Sequence, residues 1–243
     1  MPHKTDIPEH ILQDLRTYSQ NRNLLNQLVY LSRLYFGFFV KHTPRAYEYV
    51  WLIEQLPNIQ GKKVLDIGTG ISPLPIYLAQ QGAEVYTIDF SHNQHHFGED
   101  RSNWYEWGSL DYSSVHPNIL SMHQNIHQVE FPEHHFDCIY SISVIEHMSA
   151  MNRKNLWPKI DRWLKREGDL LLSLDLIQDT EDLYPYFLDK FIEDPEVHGD
   201  LSTLRKELTE RFTIRHVQSI TDIPHLDQPI DIVTLSCTTM NPS

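Results

Sequence analysis

Apolar positions recur with two periods, and the change from one to the other divides the chain. Over residues 8–57, Leu24, Leu25, Leu28, Leu31, Leu34 and Tyr35 fall at intervals of three and four, the spacing of one helical face. Pro44 is placed to open a second helix in that stretch, and Pro57 to end it. From Gly61 onward the apolar runs become short and are closed by Gly or Asp. KVLDIG (63–68), AEVYTID (83–89), NILSMH (118–123), FDCIYSI (136–142) and GDLLLSLD (168–175) read as strands. Helices are predicted between them over 72–82 and 151–166. In the first of these Ser72 stands as N-cap, Pro73 at the first helical position and Gly82 just past the end. The chain closes on two further strands, 212–218 and 230–238, expected as a hairpin at one sheet edge. Helices over about 181–193 and 200–211 precede them as an insertion or cap. Apolar strands alternating with helices predict a parallel sheet covered on both faces, and so an α/β fold.

Residues 91–117, SHNQHHFGEDRSNWYEWGSLDYSSVHP, show no sustained period. Ordinary connections run to about six residues, so an aromatic-rich segment of this length reads as a substrate-facing insertion.

The sharpest local feature is Asp66-Ile67-Gly68-Thr69-Gly70-Ile71-Ser72, between the first predicted strand and its helix. Glycines there permit a tight turn and the close approach of a ligand, and the following helix presents free N–H groups. No Gly-Lys-Ser/Thr ends the loop, which excludes a Walker-type phosphate cradle. A dinucleotide fingerprint would need glycine where Pro73 stands. Asp89 ends the second strand, 19 residues beyond Gly70, where a doubly wound sheet places a carboxylate for a ribose diol. Loop and acid together point to an adenosine-containing cofactor.

On these residues the sequence resembles the class I S-adenosylmethionine-dependent methyltransferases, over about residues 61–175. VLDIGTG is similar to the family's first motif, and YTIDFS, with Asp89 and Phe90, to its second. QNIHQVEFPEHHFDCIYSISVIEHM (124–148) is similar to the stretch that runs through the family's fourth strand. The resemblance implies a doubly wound, Rossmann-like, seven-stranded and mostly parallel sheet with an antiparallel C-terminal edge, preceded by N-terminal helices. It implies a helical extension over 1–60 and a cofactor-binding domain over 61–243, with insertions at about 91–117 and 176–211. S-adenosyl-L-methionine is the implied cofactor, held by Asp66, Gly68, Thr69, Gly70, Asp89, Phe90, Asn125, Ile126 and Ser141. In this scheme Asn125 and Ile126 take the adenine-contact positions and Ser141 begins the loop facing the methyl group. Ser72 replaces the loop's frequent third glycine. Asn125 replaces the usual Asp, which keeps one hydrogen-bond acceptor and removes a charge.

The implied reaction is displacement at a sulfonium methyl, for which the protein supplies alignment and exclusion of water. A base is needed where the acceptor is protonated, and His147, in VIEHM after the fourth strand, is the candidate. Glu146 beside it would orient it or bind a polar acceptor group. That base favours oxygen as the acceptor atom, on a small molecule or glycan. The competing readings are an NAD-dependent oxidoreductase, disfavoured by Pro73, and a non-catalytic cofactor-binding domain.

Among the 15 histidines, His92 and His96 have the i, i+4 spacing of half a metal site, although a solvated or substrate-lining cluster is the expected reading. Trp104, Tyr105 and Trp107 could stack on a flat acceptor or simply pack. Tyr30, Tyr35, Phe36, Phe38 and Phe39 read as core, with a lid over the cofactor as the other use.

Composition narrows the partners. Twenty Lys and Arg against 33 Asp and Glu give a charge of −13, which disfavours nucleic acid and makes a polyanionic acceptor awkward without a local cation. Cys138 and Cys237, each within an apolar run, are expected as reduced core thiols. The start, MPHKTDIPEH, has no signal-like hydrophobic region, and the most apolar stretch, 28–40, has 13 residues against the roughly 20 of a membrane span. A cytoplasmic protein without a membrane span is expected, its oligomeric state left open.

Overall fold

The computed structural model describes residues 21–38, 43–91, 93–101, 104, 108–184, 186–187, 190–191, 195–225 and 229–240. Helix α1 (Arg22–Phe36) starts where the Asn21 side chain accepts the Leu24 N–H at 3.1 Å, and stops at Gly37, φ +84°. Leu24, Leu25, Leu28 and Leu31 of the expected stripe are buried, with Val29 and Phe36, whereas Leu34 is 52% exposed and Tyr35 half-buried. Helix α2 (Thr43–Glu54) follows. The predicted segment 8–20 and Phe39 lie outside the described residues.

Seven strands build the main sheet: β1 (Lys63–Ile67), β2 (Glu84–Asp89), β3 (Ile119–His123), β4 (Phe136–Ile142), β5 (Leu164–Ile177), β6 (Phe212–Ile223) and β7 (Ile230–Thr239). Their order is β6-β7-β5-β4-β1-β2-β3. Strands β3, β2, β1, β4 and β5 pair in parallel, while β7 runs antiparallel to both β5 and β6. This is the mostly parallel, doubly wound sheet with an antiparallel edge that the sequence implied. Helices α1, α2 and α3 (Leu74–Gln80) cover one face through Leu28, Leu52, Ile76, Val64 and Val85. Helices α4 (Ala150–Trp163) and α5 (Leu201–Thr209) cover the other through Leu156, Trp157, Ile160, Leu204 and Leu172. The outer edge of β3 is closed by side chains: Ser113 Oγ accepts the Ser121 N–H at 2.9 Å, and Ser121 Oγ accepts the Tyr112 N–H at 2.8 Å.

Three boundaries differ from expectation. The helix expected to reach 166 stops at Trp163, because Leu164 turns to φ −68°, ψ 140° and pairs with Phe136 on β4. Ser72 is not the formal cap of α3, which opens after Pro73, although its hydroxyl accepts the Leu74 N–H at 3.2 Å. The helix expected over about 181–193 is replaced, in its described part, by extended pairings. Leu183 bridges Leu176, Asp182 bridges Asp200, and Tyr186–Phe187 pairs antiparallel with Lys190–Phe191. The end of β5 captures this segment: Ile177 N–H donates to the Asp182 carbonyl and Tyr184 N–H to that of Asp175.

Strand order reverses between β1 and β4, where the chain crosses the sheet. In open α/β sheets ligands bind at the carboxyl ends of the strands at this reversal, and the loops after β1 and β4 meet there.

Candidate active site

β1 runs into Gly68-Thr69-Gly70 with φ of +74° at Gly68 and +58° at Gly70, left-handed values that favour glycine. The turn is tied down on several sides. Gly68 N–H donates to the Ile88 carbonyl at 2.8 Å, and Gly70 N–H to Asp89 Oδ2 at 2.8 Å. Tyr112, fully buried, accepts the Ser72 N–H at 2.7 Å, and its own proton serves the carbonyl of Gly70 at 3.0 Å or of Ser72 at 3.1 Å. Asp89 also accepts the Ser91 N–H at 2.7 Å. Burial pushes the Asp89 carboxyl upward, and the N–H bonds from Gly70 and Ser91 hold it back. Burial pushes Asp66 up to about 8, against the bond it accepts from the Tyr140 hydroxyl at 2.8 Å. Beside the loop lies a cavity of about 200 Å³, lined by Thr69, Gly70, Asp89, Asp111, Ser113 and His123 among others.

Across the reversal point β4 ends at Ser143, held at φ +49°. Val144 then lies over the glycine turn: a Cβ on Gly68 would stand 2.4 Å from Val144 Cγ2. A single 3₁₀ turn, Ile145–His147, comes next. Burial, with the Arg45 cation and then His198 and His225 beside it, pulls the His147 pKa down to about 3. The imidazole is therefore neutral at pH 7, and the residue keeps a partly exposed surface through which a proton can leave.

Behind this turn lies a polar cluster inside the core. Arg45 Nη1 donates to Glu48 Oε2 at 2.7 Å and to Ser143 Oγ at 2.5 Å. Ser143 Oγ lies 2.8 Å from Glu48 Oε1 and 3.1 Å from Asp175 Oδ1, and Ser173 Oγ donates to Glu48 Oε1 at 2.6 Å. Glu146 Oε1 accepts the Asp175 N–H at 3.1 Å, and Oε2 has no hydrogen-bond partner among the described residues. Burial, and then the charges of Asp175 and Glu48, push the Glu146 carboxyl well above its ordinary range.

Residues 65–172 match the model of a methyltransferase domain. A phosphoethanolamine N-methyltransferase of Plasmodium falciparum (isolate 3D7) is 33% identical over 115 residues, 47% of this chain and 39% of that protein. The chain thus spans well under half the length of this relative. Among solved structures, the S-adenosylmethionine-dependent methyltransferase from Mesorhizobium loti aligns at TM-score 0.53 and 16% identity, over 77% of this chain and 95% of that one. Phosphoethanolamine N-methyltransferase 2 of Haemonchus contortus, solved with phosphomonomethylethanolamine and S-adenosylhomocysteine, aligns at TM-score 0.59 and 14% identity, over 93% and 60%. At those identities the structural likeness is one of fold, and the strand order above agrees with it. Residues 65–172 form a class I S-adenosylmethionine-dependent methyltransferase domain.

The methyltransferase domain brings Asp66, Gly68, Thr69, Gly70 and Asp89 together at one end of β1 and β2. The site fits an adenosine group on its own chemistry. A half-buried carboxylate ends β2, the ring of Phe90 follows it at 57% exposure, and a polar cavity adjoins both Asp89 and the loop. Asn125 caps the next 3₁₀ turn, its Oδ1 accepting the His127 N–H at 3.0 Å, and Ile126 is buried behind it. Ser141 lies within β4 rather than in the following loop, and its hydroxyl donates to the Ile67 carbonyl at 2.9 Å. It braces β4 to β1; the loop residue is Ser143.

Other expected chemistry falls elsewhere in the chain. Trp104 is buried against His95 and Phe97, with ring centroids 5.4 and 5.8 Å away, so it packs rather than presenting a stacking face. Phe36 packs on Phe38, Phe97 and Tyr112 as core, while Tyr30 is exposed. His96 approaches Asp111 at 3.9 Å; His92, Tyr105 and Trp107 lie outside the described residues. Tyr112, Arg45, Glu48, Ser143 and Asp175 were not singled out from sequence. Only Tyr112 had a signal, an aromatic in the long segment after β2, where that segment turns out to brace the glycine loop.

Proposed function

We propose that this chain transfers the methyl group of S-adenosylmethionine to the nitrogen of a small amine, with His147 taking the proton. The observation that carries the reading is the place of His147, a partly exposed imidazole on the turn that packs, through Val144, against the glycine loop. The cofactor supplies an activated methyl on sulfonium. An ammonium acceptor has no lone pair until it loses a proton, and a hydroxyl acceptor needs the same help, so a base alone does not choose between nitrogen and oxygen. Two things favour nitrogen. The buried acids Glu48 and Asp175 are grouped at the Arg45–Ser143 corner, which suits a cationic acceptor better than a neutral one. The Plasmodium relative is named for N-methylation of phosphoethanolamine. In the reaction the proton passes from acceptor nitrogen to His147, the nitrogen lone pair forms the N–C bond, and the C–S bond breaks. Asp89 and the 68–70 loop hold the adenosine end, with Gly70 N–H and Asp89 already in register.

Cys138 and Cys237 are both buried free thiols, which supports a reducing, cytoplasmic setting. Among the described residues no helix is long and apolar enough to cross a membrane.

The test is calorimetry followed by methyl transfer. S-adenosylmethionine should bind and NAD should not, and Asp89→Ala should weaken binding about 100-fold by removing charge-assisted bonds. With phosphoethanolamine and a panel of small amines and alcohols, transfer should appear on amines. Transfer to alcohols alone would restore oxygen as the acceptor atom. His147→Ala should cost about 100- to 10,000-fold in turnover with cofactor affinity kept; parental turnover would remove His147 from the mechanism.

A further inference from the structure

His147 sits on a three-residue turn with no side-chain cap at its start, tied to β5 by the Asp175 N–H that Glu146 accepts and, on its C-terminal side, to α4. The next residue, Met148, gives its carbonyl to Arg153 Nη1 at 2.7 Å. Arg153 stands near the start of α4 and is fully buried. Its other two nitrogens form a fork on one carboxylate, Nε to Glu207 Oε2 at 3.1 Å and Nη2 to Glu207 Oε1 at 3.0 Å. Trp157 Nε1 donates to Glu207 Oε2 at 3.0 Å and fixes that carboxylate from a third side. Glu207 belongs to α5, which is capped by Asp200 directly after His198 and Gly199. Gly199, at φ +76°, lies against the same guanidinium: a Cβ there would be 3.7 Å from Arg153 Nη2.

One cation therefore grips the residue after His147 with one arm and the helix that begins just beyond His198 with the other. His198 is itself buried, at 8% exposure, and its Nδ1 has no partner among the described residues. The two histidines come from segments 51 positions apart; both segments are tied to the end of β5, through Glu146 on Asp175 and Leu183 N–H on the Gly199 carbonyl, and the Arg153 fork joins them directly. A buried ion pair is a poor source of stability, since apolar side chains of like volume would do as well. A planar fork on a carboxylate instead fixes distance and angle.

We propose that Arg153, paired with Glu207, is a positioning residue that sets the His147 turn against the His198 segment and so aims the proton acceptor. This rests on the proposed role of His147. The charged and titratable groups around His147 are Arg45 from α2, His198 from the cap segment and His225 from the turn after β6; Arg153 is offset by Glu207 and acts through geometry.

The experiment compares Arg153→Met, Arg153→Lys and Glu207→Gln with the parent chain. It reads kcat and KM for the amine, cofactor affinity by calorimetry, folded fraction by circular dichroism, and the His147 imidazole by NMR titration. Arg153→Met should keep cofactor affinity and lose roughly 10- to 100-fold in kcat, the cost of a displacement on the order of 1 Å. His147, silent above about pH 5 in the parent, should acquire a midpoint in that range as water reaches a loosened ring. Arg153→Lys, which keeps one donor for Met148, should recover part of both effects. A kcat that falls only with the folded fraction, beside an unmoved His147 titration, overturns the proposal. Should Arg153→Met not fold, Glu207→Gln, which leaves the Met148 bond in place, decides by the same readouts. Parental turnover in His147→Ala would refute the base and leave the titration shift standing, so the two failures are separable.

Discussion

Gly68→Ala tests the contact that couples the cofactor loop to the base. A methyl on Gly68 would stand 2.4 Å and 2.7 Å from the two methyls of Val144 and 3.0 Å from its Cβ, far inside the roughly 3.5–4.0 Å optimum for carbon pairs. Overpacking of that kind costs about 1–3 kcal/mol. An L-residue at the left-handed φ of Gly68 adds about 1–2 kcal/mol. The single variant should therefore lose about 2–5 kcal/mol in urea unfolding. Val144→Ala alone removes two methyls from a partly exposed side chain and should cost about 1 kcal/mol. In the double variant the two methyl overlaps disappear, leaving the 3.0 Å approach of the residue-144 Cβ and the backbone cost, so the double loss should fall short of the sum of the single losses by about 1–2 kcal/mol. Losses that add to within about 0.5 kcal/mol would refute the packing of Val144 on the loop.

The site carries three further expected outcomes. Tyr112→Phe leaves the buried Ser72 N–H without its acceptor and should cost about 1–3 kcal/mol in unfolding together with cofactor affinity; an unweakened loop in calorimetry would count against the brace. Asp66 has a folded pKa raised from 3.8 to about 8, so its contribution is present in acid and lost as pH rises through that window. Asp66→Asn should flatten the decline of melting temperature between those values, and an unchanged slope would assign it to other groups. For His147, lowered to about 3, the kcat/KM profile of the free enzyme should show no acid limb near the ordinary histidine value; a limb there would mean a solvated imidazole.

Strand β4 was legible to the residue, because FDCIYSI is an apolar run interrupted only at Asp137 and Ser141 and is buried almost throughout. The glycine loop and Asp89 were legible because a turn that needs left-handed backbone restricts its residues to a recognisable pair. The end of α4 was not, since LKRE suits a helix as well as a strand and only pairing with Phe136 decides for extension. Nor was the polar cluster: Glu48, Ser143, Ser173 and Asp175 are separated by up to 127 positions and no spacing announces them. Their grouping is a property of strand order. Ser141 shows the same limit at short range, since two positions along a strand separate a brace from a loop residue.

Ser113 places its hydroxyl where a neighbouring strand would place a carbonyl, on the Ser121 N–H, which interrupts any ladder that another chain could add along β3. Strand β6, at the opposite end, carries no strand on its outer side among the described residues. Irregular register at Arg215 and again between Ile220 and Ile223, with exposed polar side chains between them, blunts this edge as well. Both ends of the sheet are thus guarded against strand addition, in crowding or in partial unfolding, and the β1–β2–β3 end that carries Asp89 is left unobstructed.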